Sequence, residues 1–335
     1  MFHSWLDRWD ERRAARGDAV KKVTGFALDA DLAFPGAAPV ESIVEFCDLA
    51  DQAVAEPGFF DPPGASDTRF EFQDGWLRFP SDMSTDVKEN NTVWAKVTDS
   101  GSHDQALVVF HHWNASARYH QIARFFARRG ITVVEIAMPY HFERSRPGAL
   151  YADDMLSPNL GRTIQSLRQA VWDGRKLIGW LQRQGYGEIS VLGMSLGSWV
   201  AGLIAAHEPT VSKAALLLTA DSLADMVWTG RATRAIRESL EPVMDQADLR
   251  RAWGPLDLEN YAHRLARDDL DLQLVLAKRD TVVLPDISAR LVQDLDDAGA
   301  KPGILELNCG HYSLSMPPYI LWAGLSVARL LRRGR

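Results

Sequence analysis

Val191-Leu192-Gly193-Met194-Ser195-Leu196-Gly197 is the stretch whose reading decides the architecture. The apolar residues Ile189 to Leu192 predict a short buried strand, and Ser198 to His207 predict a helix. Between them the chain must turn sharply at Gly193-Met194-Ser195-Leu196-Gly197. A G-x-S-x-G turn joining a strand to a helix holds a serine hydroxyl above the sheet edge. Gly193 and Gly197 stand where a Cβ would crowd such a turn. Ser195 then lies at the positive end of the following helix, which favours negative charge developing beside it.

Downstream of Pro57, Pro62, Pro63 and Gly64 the pattern alternates strand and helix. A hairpin is expected around Asp74-Gly75, then strands at Thr92 to Thr98, Ala106 to Phe110 and Ile131 to Ile136. Helices are expected at Arg118 to Arg128 and Thr163 to Gln184, and a buried strand at Ala214 to Leu218. Residues 221–269 break the rhythm with helical pieces rich in Met226, Trp228, Ile236, Leu249 and Trp253. A helical lid insertion is the economical explanation, an extended crossover packed on the sheet the alternative. Strand Leu272 to Ala277, helix Ser288 to Ala298, strand Gly303 to Leu307 and a helix from Pro318 to Leu331 complete the chain. The fold class is therefore α/β, a mostly parallel sheet flanked by helices. The expected division is a helical extension over 1–65, a core over 66–220 and 270–335, and the insertion over 221–269.

The extension opens with Phe2, Trp5, Leu6 and Trp9 at helical spacing, ringed by Arg8, Arg12, Arg13, Lys21 and Lys22. Packing of that aromatic stripe on the protein's own core, or in a homodimer, explains it better than a membrane-surface role. The insertion is a second surface through which a homodimer is possible. A formal charge of -7 over 335 residues gives no general pull toward nucleic acid. No apolar run is long enough to span a membrane, the first residues lack a signal-peptide h-region, and only Cys47 and Cys309 are present. A soluble cytoplasmic enzyme is expected.

Asp280 follows the strand ending at Ala277, and His311 follows the strand ending at Leu307. Ser195, Asp280 and His311 thus arrive in order at the carboxyl ends of strands, where open α/β sheets bind ligands. An imidazole that accepts the serine proton, oriented by a carboxylate, turns a poor nucleophile into a good one. Asp286, Asp221 and Asp225 compete for the acid, and His207 and His263 for the base. The segment His111-His112-Trp113-Asn114-Ala115 follows the strand ending at Phe110 and is placed to supply one oxyanion N–H. Trp113 is the preferred first donor, with Asn114 the alternative register, and Leu196 the second. His112, Asn114, Met194, Tyr140 and His141 are candidate substrate contacts, and Arg118, Arg144 and Arg146 a conceivable clamp for charge. His111 and His112 have no third ligand at a metal-binding spacing, and neither metal nor cofactor is called for.

With these residues in place, the chain from about Phe70 to Leu331 resembles the α/β-hydrolase superfamily. Ser195, Asp280 and His311 match its nucleophile, acid and base, and His111 to Ala115 its oxyanion segment. The resemblance implies an eight-stranded, mostly parallel sheet with an antiparallel edge strand, and a cofactor-independent hydrolase of esters, thioesters, lactones, amides or peptides acting on a small acyl substrate. An acyltransferase using the same triad is the alternative, and a catalytically inactive binding protein of the same fold the other. The departure is His111-His112 followed by Trp113, where that superfamily commonly has His-Gly.

Overall fold

The computed structural model describes residues 2–18, 24–64 and 68–334. Lys21, Lys22, the side chain of Phe2 and the expected end of the extension at residue 65 lie outside the described residues. Helices α1 (Phe2–Asp18), α2 (Ala30–Ala33) and α3 (Ile43–Ala55) come first. The last starts with a capping box: Ser42 Oγ accepts the Glu45 N–H while the Glu45 carboxylate accepts the Ser42 N–H. Strands β1 (Glu71–Gln73) and β2 (Trp76–Pro80) form the hairpin. Its two-residue turn puts Asp74 at φ 52° and Gly75 at φ 72°, the left-handed pair that fits the twist of the strands.

The alternation then runs β3 (Thr92–Thr98), β4 (Gln105–Phe110), α4 (His120–Ala127), β5 (Ile131–Ile136), α5 (Leu160–Arg183), β6 (Glu188–Met194), α6 (Leu196–His207) and β7 (Val211–Leu217). Asn159 caps α5 by accepting the Arg162 N–H, which is why that helix starts three residues before the expected Thr163. Between β7 and the next strand stand α7 (Leu223–Thr229), α8 (Arg234–Leu240), α9 (Gln246–Ala252) and α10 (Ala262–Leu265), joined by short 3-10 turns. Strand β8 (Asp271–Ala277), α11 (Pro285–Asp297), β9 (Gly303–Leu307) and α12 (Tyr319–Leu331) follow.

Among the described residues the sheet has nine strands in the order β1-β2-β3-β5-β4-β6-β7-β8-β9, not the eight that the resemblance implies. The added strand is the short, exposed β1, whose pairing with β2 extends the antiparallel end. From β5 to β9 every neighbour is parallel, so the carboxyl ends of β4, β6, β8 and β9 share one edge. Side chains alternate along each strand. In β4, Ala106, Val108 and Phe110 join the core under α3, α5, α6, α11 and the insertion. Leu107 and Val109 join the opposite layer with Leu6 of α1, Ala123 and Phe126 of α4 and Val327 of α12. Helix α1 is therefore packed on the sheet rather than appended to it. No helix among the described residues is long and apolar enough to cross a membrane.

Candidate active site

The elbow is built from close backbone approach. A Cβ on Gly193 would stand 2.1 Å from the Gly197 carbonyl oxygen, and one on Gly197 would stand 2.4 Å from those of both Phe110 and His111. Neither position tolerates a side chain, so β6 enters α6 in one tight turn. Ser195 between them sits at φ 52° and ψ -126°, an unfavourable conformation for a residue with a Cβ, and its N–H is held by the Leu217 carbonyl at 2.9 Å. Leu196 opens α6, so its N–H is among the first-turn donors that have no partner within the helix.

His311 reaches both partners. Its Nε2 lies 3.0 Å from Ser195 Oγ and its Nδ1 2.8 Å from Asp280 Oδ2. The other Asp280 oxygen accepts the N–H groups of Val282 at 2.8 Å and Val283 at 2.9 Å. One oxygen is thereby tied to the backbone, and the other is left to face the ring. The competing acids are elsewhere. Asp286 is exposed in the first turn of α11, Asp221 pairs with Arg290, and Asp225 pairs with Arg250 and Arg290. The competing histidines are also accounted for: His207 donates to the Leu203 carbonyl and packs between Phe60 and Tyr261, and His263 is exposed.

The segment after β4 is braced from behind. His111 Nε2 accepts the Met138 N–H at 3.1 Å, so the proton is on Nδ1, which donates to the His112 carbonyl at 2.9 Å. The Asn114 N–H, at a residue with φ 56°, donates to His141 Nε2 at 2.9 Å, and Asn114 Oδ1 accepts from Ala152 N–H. The alternative register, with Asn114 as an oxyanion donor, is removed by this engagement. His141 also donates from Nδ1 to the Pro139 carbonyl at 2.8 Å, which leaves it no ring nitrogen for a substrate. Burial pushes it down to about 3, so it stays neutral. Tyr140 is buried, with its N–H on Asn90 Oδ1 and its hydroxyl on Arg162. Both residues thus order the loop.

His112 and Met194 are placed differently. His112 Nδ1 makes a short hydrogen bond with the Tyr119 hydroxyl, which also lies 3.7 Å from Met194 Sδ. Burial lowers the His112 pKa to about 4, helped by the positive charge of a protonated His311 and of Arg13. A neutral imidazole therefore stands beside the catalytic one. Tyr119, which the sequence reading did not single out, is its partner. A small cavity bordered by Trp113, Asp153, Leu156, Ser157, Ala235 and Ile236 brings α8 of the insertion against the segment after β4.

Each arginine of the suggested cationic clamp is paired with an acid. Arg118 pairs with Glu143, the fully buried Arg144 with Asp173, and Arg146 with Asp86. Among the described residues Asp221, Glu259 and Asp294 form the group of carboxylates close enough to hold a cation, but Arg290 and Arg250 are already paired with two of them.

A strand-to-helix serine turn, an acid after β8 and a histidine after β9 lie together at one edge of the parallel part of the sheet. The chain has the α/β-hydrolase fold. Residues 122–240 match the family model described as alpha/beta hydrolase domain containing 18. No curated protein sequence matches. Among solved structures, acetyl xylan esterase 1 from a Thermoanaerobacterium species is similar at TM-score 0.59 and 19% identity, covering 92% of this chain and 99% of that one. An acetyl xylan esterase from a Paenibacillus species gives 0.58 and 13%, over 90% and 98%. An acylaminoacyl peptidase from Pyrococcus horikoshii gives 0.59 and 13%, over 81% of this chain and 43% of that longer one.

Proposed function

We propose that this α/β-hydrolase is a cofactor-independent serine hydrolase that cleaves a carboxylic ester or related acyl bond through an acyl-enzyme. The observation that carries the reading is the unbroken chain Ser195 Oγ, His311 Nε2, His311 Nδ1, Asp280 Oδ2, with both gaps at hydrogen-bond distance. In the first half-reaction His311 takes the hydroxyl proton as Oγ attacks the acyl carbon, and Asp280 stabilises the imidazolium. The imidazolium then protonates the leaving alcohol or amine. In the second half-reaction His311 takes a proton from water, which attacks the acyl-enzyme and frees Ser195.

The tetrahedral oxyanion is assigned to the N–H groups of Leu196 and Trp113, each worth about 3 kcal/mol at the transition state. His112 and Met194, joined through the Tyr119 hydroxyl, are assigned to the substrate side of the nucleophile. Similarity to esterases and to a peptidase puts both bond types on the test panel. We place the enzyme in the cytoplasm, a reading supported by two cysteines that are free and buried. A homodimer is not required to cover α1, because Leu6 and Ala14 are buried within the same chain; Trp5, 45% exposed, is the residue such a contact would use.

The test is hydrolysis of p-nitrophenyl acetate, butyrate, octanoate and decanoate, with an aryl amide alongside, by wild type and Ser195→Ala. Turnover of at least one ester, lowered about 10⁴-fold or more in the variant, is expected. Equal activity in the two proteins would refute the assignment.

A further inference from the structure

We propose that helix α1 is part of the catalytic apparatus, with Asp10 as a positioning residue that fixes His311; this rests on the serine-hydrolase reading above. Leu6, Asp10 and Ala14 recur every four residues and so lie on one helix face. All three are buried, at 1%, 4% and 1% exposure. A carboxylate at the centre of a buried stripe is costly unless it is hydrogen-bonded. Asp10 spends its hydrogen bonds on the residues that follow the catalytic histidine. Its Oδ1 accepts the N–H of Tyr312 at 2.8 Å and of Ser313 at 3.0 Å, and its Oδ2 accepts the Ser313 hydroxyl at 2.6 Å. Ser313 Oγ in turn accepts the Gly310 N–H at 2.8 Å, so the grip closes around His311 from both sides.

Gly310 permits this approach. A Cβ there would stand 2.6 Å from Asp10 Oδ2. The same helix reaches the acid loop. Asp7 pairs with Arg279, the residue before Asp280, and Glu11 pairs with Arg231, whose N–H donates to the Thr281 carbonyl at 2.8 Å. Those two ion pairs are partly exposed and worth about 0–1 kcal/mol each. The buried, charge-assisted contacts of Asp10 are the ones able to hold geometry. The contact joins residues 302 positions apart, so it forms only when both ends of the chain are in place.

The test uses the full chain with Asp10→Ala, Asp10→Asn and, on the solvent face of α1, Arg12→Ala. Kinetic constants on an ester turned over by wild type are read together with the downfield Nδ1–H resonance of His311, which reports its bond to Asp280. Displacing a catalytic group by about 1 Å costs on the order of 10²-fold. D10A is expected to lose about 10- to 100-fold in kcat with KM within about threefold, and to broaden the resonance. D10N keeps an acceptor for both N–H groups and is expected to recover most of kcat; R12A is expected to stay within about twofold.

A folded D10A with wild-type kcat and an unchanged resonance would overturn the proposal. If wild type turns over no acyl substrate, the hydrolase reading fails on its own, and the resonance alone decides: broadened in D10A upholds the positioning role, unchanged refutes it. If D10A does not fold, Gly310→Ala takes its place, since its methyl displaces the carboxylate. The same kcat loss and broadening are expected from it, and wild-type values in both would overturn the proposal.

Discussion

Asp280→Asn separates the electrostatic work of the acid from its structural work. Asp280 Oδ1 holds the Val282 and Val283 N–H groups, both donors, so an asparagine must present its carbonyl oxygen there. Its NH2 then faces His311 Nδ1 at the 2.8 Å position now filled by Oδ2. A donor opposite Nδ1 forces the ring proton onto Nε2, where it points at Ser195 and leaves no base to accept the hydroxyl proton. The same exchange in a well-studied triad costs about 10⁴ in kcat, or about 5.5 kcal/mol. Stability should hardly change, because both backbone donors keep their acceptor. Asp280→Ala differs: it strands two N–H groups at residues 5% and 1% exposed, at about 1–3 kcal/mol each. The assay is kcat/KM on the best p-nitrophenyl ester, with urea midpoints for all three proteins. D280N retaining more than about a tenth of wild-type activity would refute the tautomer argument.

Gly197→Ala drives a methyl into two backbone carbonyls at 2.4 Å that cannot rotate away, and is expected to cost about 3 kcal/mol in chemical denaturation and to displace the Leu196 N–H. Asp173→Asn leaves the fully buried Arg144 without its counter-ion at 2.8 Å, and should lower stability by about 3–5 kcal/mol in the same assay. Stability should also depend on pH. His112, His141 and His207 are held down to about 4, 3 and 4 from 6.5, so between these values the unfolded chain binds more protons than the folded one. Their contribution is fully present above pH 6.5 and is lost as pH falls toward 4, so the urea midpoint should drop across that window. A midpoint that rises on acidification would contradict this burial.

The triad was legible because its signals are local. Each member sits within a few residues of a strand end, and strand ends can be read from apolar runs bounded by turn residues. Gly193 and Gly197 were readable for the same reason: the turn itself demands them. What escaped depends on contacts between distant segments. Tyr140 and His141 carry no mark of their engagement with Asn90, Arg162 and Asn114, so their chemistry suggested a substrate role that their hydrogen bonds exclude. Sequence likewise does not show that Glu143, Asp173 and Asp86 reach Arg118, Arg144 and Arg146. Helix α1 is visible as an aromatic stripe, but nothing local marks Asp10, whose partners lie in the loop after His311.

The most direct test of the central claim is intact-mass detection of covalent labelling by a small fluorophosphonate, on wild type, Ser195→Ala and His311→Ala. The account predicts one adduct per wild-type chain, none on S195A and at most slow labelling of H311A. A folded wild type left unlabelled by this and by a smaller serine-reactive probe, or an S195A that labels as fast as wild type, would contradict it.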